Sequence, residues 1–110
     1  MRDARAAVPL FAALGDVTRM QIVGRLSQGE PLSIARLTSG TGVTRQAVTK
    51  HLKVLDEAGL VRSNWHGRER LWELDAARLD AARRSLDTIA GQWTAALDRL
   101  KSFVEREDLS

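Results

Sequence analysis

The sequence has no cysteine, only two prolines and few aromatic residues. Without cysteine the chain cannot form disulfides, thiolate metal sites or thiol redox sensors. Long hydrophobic runs are also missing. The longest apolar stretch, residues 6–14, is far shorter than the ~20 residues of a membrane span, and it lacks the layout of a signal peptide. We therefore expect a cytoplasmic protein that does not associate with membranes.

Acidic residues are absent between positions 31 and 55, a segment that carries Arg36, Arg45, Lys50 and Lys53. The net charge of the whole chain is only +3, so its basic character is concentrated in the middle. Such a distribution indicates a local surface for a polyanion.

The size of the chain predicts one domain over residues 1–110, with a core that is adequate but small. Its 44% apolar and 28% charged residues are ordinary for a soluble protein. Dimerisation would be a common way for a chain of this size to bury more apolar surface.

The residue patterns of enzymes and metal sites are missing as well. There is no carboxylate pair with a histidine, no glycine-rich phosphate loop and no cysteine nucleophile, so we predict no catalytic residue and no cofactor. His51 and His66 are too separate to form a metal set, and we predict no metal site. His51 falls among apolar residues of its helix, which favours a packed histidine with one internal hydrogen bond over a base reader or a ligand.

Capping residues, glycines and apolar spacing divide the chain into four helices, a hairpin and a fifth helix. Asp16, Ser33 and Thr44 are good N-caps for the second, third and fourth helices, and Gly59 stops the fourth. The hairpin has a loop, His66–Glu69, that contains glycine. The predicted fold is mainly α with a small β-hairpin, a winged helix-turn-helix in the order α-α-α-α-β-β-α, with its helix-turn-helix at about 33–58, its wing at about 60–74 and its last helix at about 76–106.

The fourth predicted helix separates a polar arc from an apolar arc when each residue advances by about 100°. The apolar arc includes Val48, Leu52 and Val54, whereas the polar arc carries arginine, glutamine, threonine and two lysines. These polar side chains suit a DNA groove, because arginine and glutamine can bind bases bidentately and lysine neutralises phosphate. The alternative is a solvated basic surface helix, but the short capped helix and the turn with Gly42 before it favour a helix-turn-helix.

The hairpin after this helix has a cationic tip, where Arg68 could reach a phosphate or the minor groove. An ordinary surface hairpin is the alternative. Trp65 and Trp72 are expected to be packing groups, because duplex recognition does not splay bases onto aromatic side chains. We predict base contacts from Thr44, Arg45, Gln46 and Thr49. We predict contacts with the DNA backbone from Ser33, Lys50, Lys53 and Arg68.

The last predicted helix carries an apolar stripe at alternating spacings of three and four residues. Leu79, Leu86, Trp93 and Leu100 are spaced by seven, and a second apolar set interleaves with them: Ala82, Ile89, Ala96 and Phe103. Part of this stripe must cover the core of its own protomer, and a purely intramolecular helix is the alternative. We predict that the terminal helices form a dimer interface from Phe11, Leu86, Ile89, Trp93, Leu97 and Leu100.

These segments resemble the ArsR/SmtB family of winged-helix repressors, over roughly residues 5–105. The resemblance lies in Phe11–Arg19, Pro31–Ser33, Val43–Val61 and Gly67–Trp72. It implies a homodimer joined through its first and last helices. It also implies that the dimer occupies an operator near a promoter and leaves it when an inducer binds.

The sequence departs from the family at several positions. Val17 stands where the family usually has proline, and Thr38 and Gly40 replace stronger helix formers, so we expect a weak third helix. The family's metal-sensing positions are not matched, because the helix pair has no cysteine and the last helix has no histidine. The chain therefore resembles the members without a recognisable metal site.

Together these features predict a sequence-specific regulator of transcription that binds double-stranded DNA and is not an enzyme. The expected form is a homodimeric repressor of a palindromic operator, released by an unidentified signal such as a small-molecule or protein effector. The alternative is a winged-helix protein-interaction module that does not bind DNA.

Overall fold

The computed structural model describes residues 2–109, and the side chains of residues 7–107. Within that range the chain forms five helices and three short strands. Their bounds are α1 (Arg2–Leu14), α2 (Val17–Leu26), β1 (Leu32–Ser33), α3 (Ile34–Ser39), α4 (Arg45–Glu57), β2 (Val61–His66), β3 (Glu69–Leu74) and α5 (Ala76–Leu109). The mainly helical fold class and the winged helix-turn-helix arrangement are thus confirmed.

Side-chain caps begin the three middle helices. Asp16, Ser33 and Thr44 accept hydrogen bonds from the backbone N–H three residues ahead, at 3.0, 3.3 and 3.1 Å. At the other end of α4, Gly59 has a φ of +79°, and the N–H of Leu60 reaches the carbonyl of Leu55 at 3.0 Å. This is a Schellman motif, which stops the helix and turns Leu60 into the core.

The three strands form one antiparallel sheet in the order β1-β3-β2. In the β2–β3 hairpin, which is the wing, His66 pairs with Glu69, so the turn consists of Gly67 and Arg68 alone. A φ of +65° at Gly67 suits a type II′ turn and explains why the loop is tighter than the sequence indicates. Strand β1 was not predicted, because two residues have no periodicity to detect.

The core lies where α1, α2, α4 and the sheet meet. Ile22, Leu37, Leu52 and Leu55 are fully buried there, and Trp72 is 5% exposed.

Trp65 contradicts the expectation that both hairpin tryptophans pack. Its side chain is 68% exposed, whereas Trp72 is buried. Trp65 pairs with Arg70 next to the tip of the wing, whereas Trp72 lies mid-strand between Leu32 of β1 and Ser63 of β2. Both tryptophans have the same alternating pattern around them in the sequence. Only the packing of the wing against the rest of the protein makes one exposed and the other buried.

The long helix α5 has two parts. Leu79 and Ala82 pack against the core of the same chain, and α1 packs along this part of the helix. From Leu86 onward the apolar face is exposed to solvent. No helix in the described range combines the length and the apolar character needed to cross a membrane.

Candidate nucleic-acid interface

Helix α4 presents one polar face to solvent and one apolar face to the core. Val48, Leu52 and Leu55 are fully buried. The side chains predicted to face DNA lie on the opposite face and are exposed: Arg45, Gln46, Thr49, Lys50 and Lys53. Val54, which the helical period assigns to the apolar arc, is 37% exposed, so the buried face of α4 is narrower than that arc.

The turn between α3 and α4 holds α4 outward. Gly42 in this turn has a φ of +70°, a conformation that favours glycine. The two helices contact each other directly, as in a helix-turn-helix.

Arg25 of α2 fixes the end of α3 from outside the helix pair. Its Nη1 donates to the carbonyls of Arg36 at 2.7 Å and Leu37 at 3.0 Å, which are among the orphan carbonyls of a helix end. Gly40 makes room for this contact, because a Cβ there would lie 2.5 Å from Nη1 of Arg25. Gly40, which led us to expect a weak third helix, thus leaves space for the Arg25 side chain that caps α3. This contact between Gly40 and Arg25 was not predicted from the sequence.

His51 links α4 to the start of α2. Its Nδ1 lies 3.4 Å from Nη1 of Arg19 and 3.7 Å from the carboxylate of Asp16. Arg19 also donates to the carbonyl of Ala13, which ties α1 into the same cluster. The side chain of His51 is 22% exposed, which agrees with a packed histidine rather than one that projects to DNA.

Asp16 is charged in this cluster, because a hydrogen bond from the backbone N–H of Arg19 lowers the pKa of its carboxyl below the ordinary value of 3.8. The charge of Arg19, and that of His51 when it is protonated, act in the same direction, and partial burial acts against them.

Six of the seven basic side chains from α3 to the wing fall into two groups, and the seventh, Arg70, donates to Ser63. Arg36 lies 3.8 Å from Glu30, and Arg62 donates to Glu73 at 2.9 Å. The side chains of the second group are exposed and have no ion pair or hydrogen bond within the described range: Arg45, Lys50, Lys53 and Arg68. All four belong to the predicted DNA contacts, and their charge is available to an external anion.

The three hydroxyl residues of the predicted set are partly occupied by the protein itself. The hydroxyl oxygen of Thr44 accepts from the N–H of Ala47, and the hydroxyl of Thr49 donates to the carbonyl of Arg45 at 2.9 Å. Thr49 therefore offers its methyl group and an acceptor to a base. Ser33 is only 6% exposed and caps α3, so its predicted phosphate contact is the least supported of the eight.

A cleft of about 460 Å³ lies between the wing and the starts of α3 and α4, and Ser33, Ile34 and Ala35 line it on the side of α3. Arg45 lines it on the helix side and Arg68 on the wing side. The wing also contributes Trp65, His66, Glu69 and Arg70 to the lining of this cleft. Sequence reasoning did not assign them to the interface, and the only signal for them was the alternation of the strands.

The predicted dimer residues divide between the core and the surface. Phe11 is half-buried and packs against the core of its own chain. The five others lie along α5 and are between 47% and 67% exposed: Leu86, Ile89, Trp93, Leu97 and Leu100.

A capped short helix, a glycine turn, an outward-facing basic helix and an adjacent hairpin define a winged helix-turn-helix protein. Residues 14–64 match the model of a family described as "Helix-turn-helix domain".

Comparison with known proteins narrows this class to one family. The HTH-type transcriptional regulator Rv2034 of Mycobacterium tuberculosis is 41% identical over 97 residues, which are 88% of this chain and 87% of that protein. The ArsR-like transcriptional regulator from Rhodococcus sp. RHA1 has 33% identity and a TM-score of 0.79, covering 94% of this chain and 96% of that one. The transcriptional repressor BigR from Xylella fastidiosa has 26% identity and a TM-score of 0.65, covering 80% and 89%. The chain belongs to the ArsR family of helix-turn-helix transcriptional regulators, which confirms the resemblance and implies that it binds DNA.

Proposed function

We propose that the protein is a homodimeric repressor that binds a palindromic operator through α4 and the wing and leaves it on a signal. The observation that carries the proposal is the exposed face of α4, where three cations have no partner among the described residues. Lys50 and Lys53 can each replace a counterion on a DNA phosphate, and Arg45 can reach a base edge, without first breaking an ion pair within the described range. This function would place the protein in the cytoplasm.

The residues of the interface have different tasks in this proposal. Arg45 and Gln46 read base edges from the first turn of α4, with Thr44 and Thr49 beside them. Lys50 and Lys53 hold the phosphate backbone. Arg68 extends the contact from the tip of the wing.

The dimer is supported by the exposed apolar face of α5. Large side chains such as Trp93 and Leu100 are more than half exposed there, and a contiguous apolar face of this kind marks an interaction surface. A two-fold dimer would set two copies of α4 one DNA turn apart, about 34–36 Å, and so match a palindrome. Repression is supported by the similarity to BigR, which is described as a transcriptional repressor.

The release signal in this proposal is a small molecule or a protein rather than a metal ion. The chain has no cysteine. Within the described range no three histidine, aspartate or glutamate residues converge as a metal set would.

Selection of bound duplexes from a random pool tests the proposal. We expect an enriched palindrome whose half-sites are one helical turn apart, with an affinity that falls steeply as salt rises. If no sequence is enriched and no duplex binds in a salt-dependent way, the protein-interaction alternative replaces the repressor.

A further inference from the structure

Trp65 is a large aromatic side chain that the fold leaves in solvent beside basic residues. By strand alternation it shares a face of β2 with Val61 and Ser63, and it pairs across the hairpin with Arg70. Val61 is buried in the core, so this face of the wing is turned toward the body of the protein. Trp65 therefore projects over the cleft between the wing and α4.

Arg70 is held in place on the same face of the wing. Its Nε donates to the hydroxyl of Ser63 at 2.7 Å, and its guanidinium carbon lies 4.7 Å from the centre of the Trp72 ring. These two contacts leave the terminal amino groups of Arg70 with no acceptor within the described range. The result is a preorganised cation whose donors are available to an external group.

The cleft has the chemistry of a nucleic-acid backbone site. Three arginines line it, Arg45 on the helix side and Arg68 and Arg70 on the wing side, against one acidic residue, Glu69. The exposed indole of Trp65 adds an apolar surface beside them. A DNA strand offers the complementary groups in alternation, an anionic phosphate and the less polar face of a deoxyribose.

We infer that this cleft receives one phosphate and its neighbouring deoxyribose from the DNA backbone. Arg68 and Arg70 donate to the phosphate oxygens from the wing, and Trp65 packs on the sugar. The inference rests on the proposed function, because a duplex that lies on the outer face of α4 covers the mouth of the cleft. Trp65 does not stack on a base, because the bases of a duplex are not accessible to it.

Binding of the selected operator and of a random duplex, each over a range of salt, tests the cleft with three variants of the full chain. Trp65→Ala should weaken both duplexes by about fivefold to tenfold and leave the salt slope unchanged, because a sugar contact releases no counterion. Arg70→Ala should weaken both duplexes and lower the salt slope by about one. Arg62→Ala is the matched control, since it removes the same charge from the other face of the same hairpin and should leave the slope unchanged.

Thermal unfolding of each variant shows whether it is still folded under the conditions in which its binding is measured. Trp65 is exposed, so Trp65→Ala should melt with the wild type. Arg70→Ala loses its contacts with Ser63 and Trp72, so its binding is compared well below its own melting temperature. Trp65→Phe, which keeps an aromatic face, should recover most of the affinity lost in Trp65→Ala.

Two results would overturn the inference while the regulator proposal stands. In the first, wild-type protein binds duplexes but Trp65→Ala and Arg70→Ala bind them equally well. In the second, inorganic phosphate binds the free protein in a way that depends on Arg70 and does not compete with duplex, which would assign the cleft to a small anion. If the wild type binds no duplex at all, the proposed function fails and this inference fails with it.

Discussion

Individual residues of α4 differ in what they can offer to DNA, although they share one exposed face. Gln46 has a planar amide with a donor and an acceptor, whereas Lys53 has a flexible ammonium group with donors only. The exposure of both side chains was predictable from the helical period, because that period alone separates the solvent-exposed face of α4 from its buried face. The partners of His51 were not predictable, because Asp16 and Arg19 lie far from it in the chain.

Replacement of Gln46 tests base reading at one position. Gln46→Ala should cost roughly 1–3 kcal/mol on the best operator and relax the preference at a single base pair. Lys53→Ala is the comparison, and it should weaken all sequences alike and lower the salt slope by about one. Affinities for the operator and its single-base variants decide the matter, and a uniform loss in Gln46→Ala would remove that residue from the base readers.

Asp16 predicts a pH dependence of stability. Its pKa is lowered in the folded state, so its ionised form stabilises the fold at and above its ordinary value of 3.8, and this contribution is lost as the pH falls below that value. Asp16→Asn keeps a capping oxygen but removes the charge beside Arg19 and His51. The wild type should be the more stable at neutral pH, and the difference should shrink as the pH falls into the acid range.

Urea unfolding at several pH values measures this difference. Asp98→Asn on α5 is the control, since Asp98 is exposed and has no ion pair within the described range. A gap between wild type and Asp16→Asn that stays constant down to the lowest pH would show that the charge of Asp16 contributes nothing.

At the scale of elements, α3 and α5 depend on different forces. The six-residue helix α3 is too short to be stable alone, so it relies on the Ser33 cap at its start and on Arg25 at its end. Helix α5 is long enough to depend on its own backbone and on side-chain pairs along its surface. Arg83, for example, bridges Asp80 and Asp87 at 2.9 and 2.7 Å.

Gly91 lowers the intrinsic stability of α5 without an evident packing reason. A Cβ at this position would meet no heavy atom within 4 Å, and the position points away from the apolar stripe. Gly91→Ala should therefore raise the free energy of unfolding by about 1 kcal/mol. The opposite substitution at the exposed neighbouring position, Ala90→Gly, should lower the free energy of unfolding by a similar amount. Denaturant unfolding measures both, and a loss of stability in Gly91→Ala would show that a second chain approaches the helix at this point.

The whole molecule is elongated because α5 continues beyond the body. A compact chain of this length would have a radius of gyration of about 13 Å. The observed value is 19.5 Å, and the longest dimension is 74 Å. An apolar stripe along such a projecting helix is costly in water unless another surface covers it, which is the physical basis for expecting a second copy.

Replacement of Trp93 tests the dimer. Trp93→Glu places a charge in the centre of the exposed stripe and should shift sedimentation toward the monomer. Thr94→Glu, which adds the same charge one residue further along the helix and outside the stripe, should remain dimeric. The affinity for a palindrome should fall in Trp93→Glu while the affinity for a single half-site is retained. A variant that stays dimeric and binds the palindrome normally would contradict the proposed interface.

Local patterns in the chain were sufficient for the caps at Asp16, Ser33 and Thr44, the outward face of α4 and the stripe on α5. These features depend on residues within one or two helical turns, so the order of residues specifies them directly. Packing between distant segments decided the rest. It paired β1 with β3, brought Arg25 to the end of α3 and left Trp65 outside the core. It also set Leu86 as the point where α5 stops covering its own chain, because each of these contacts depends on how elements meet in space.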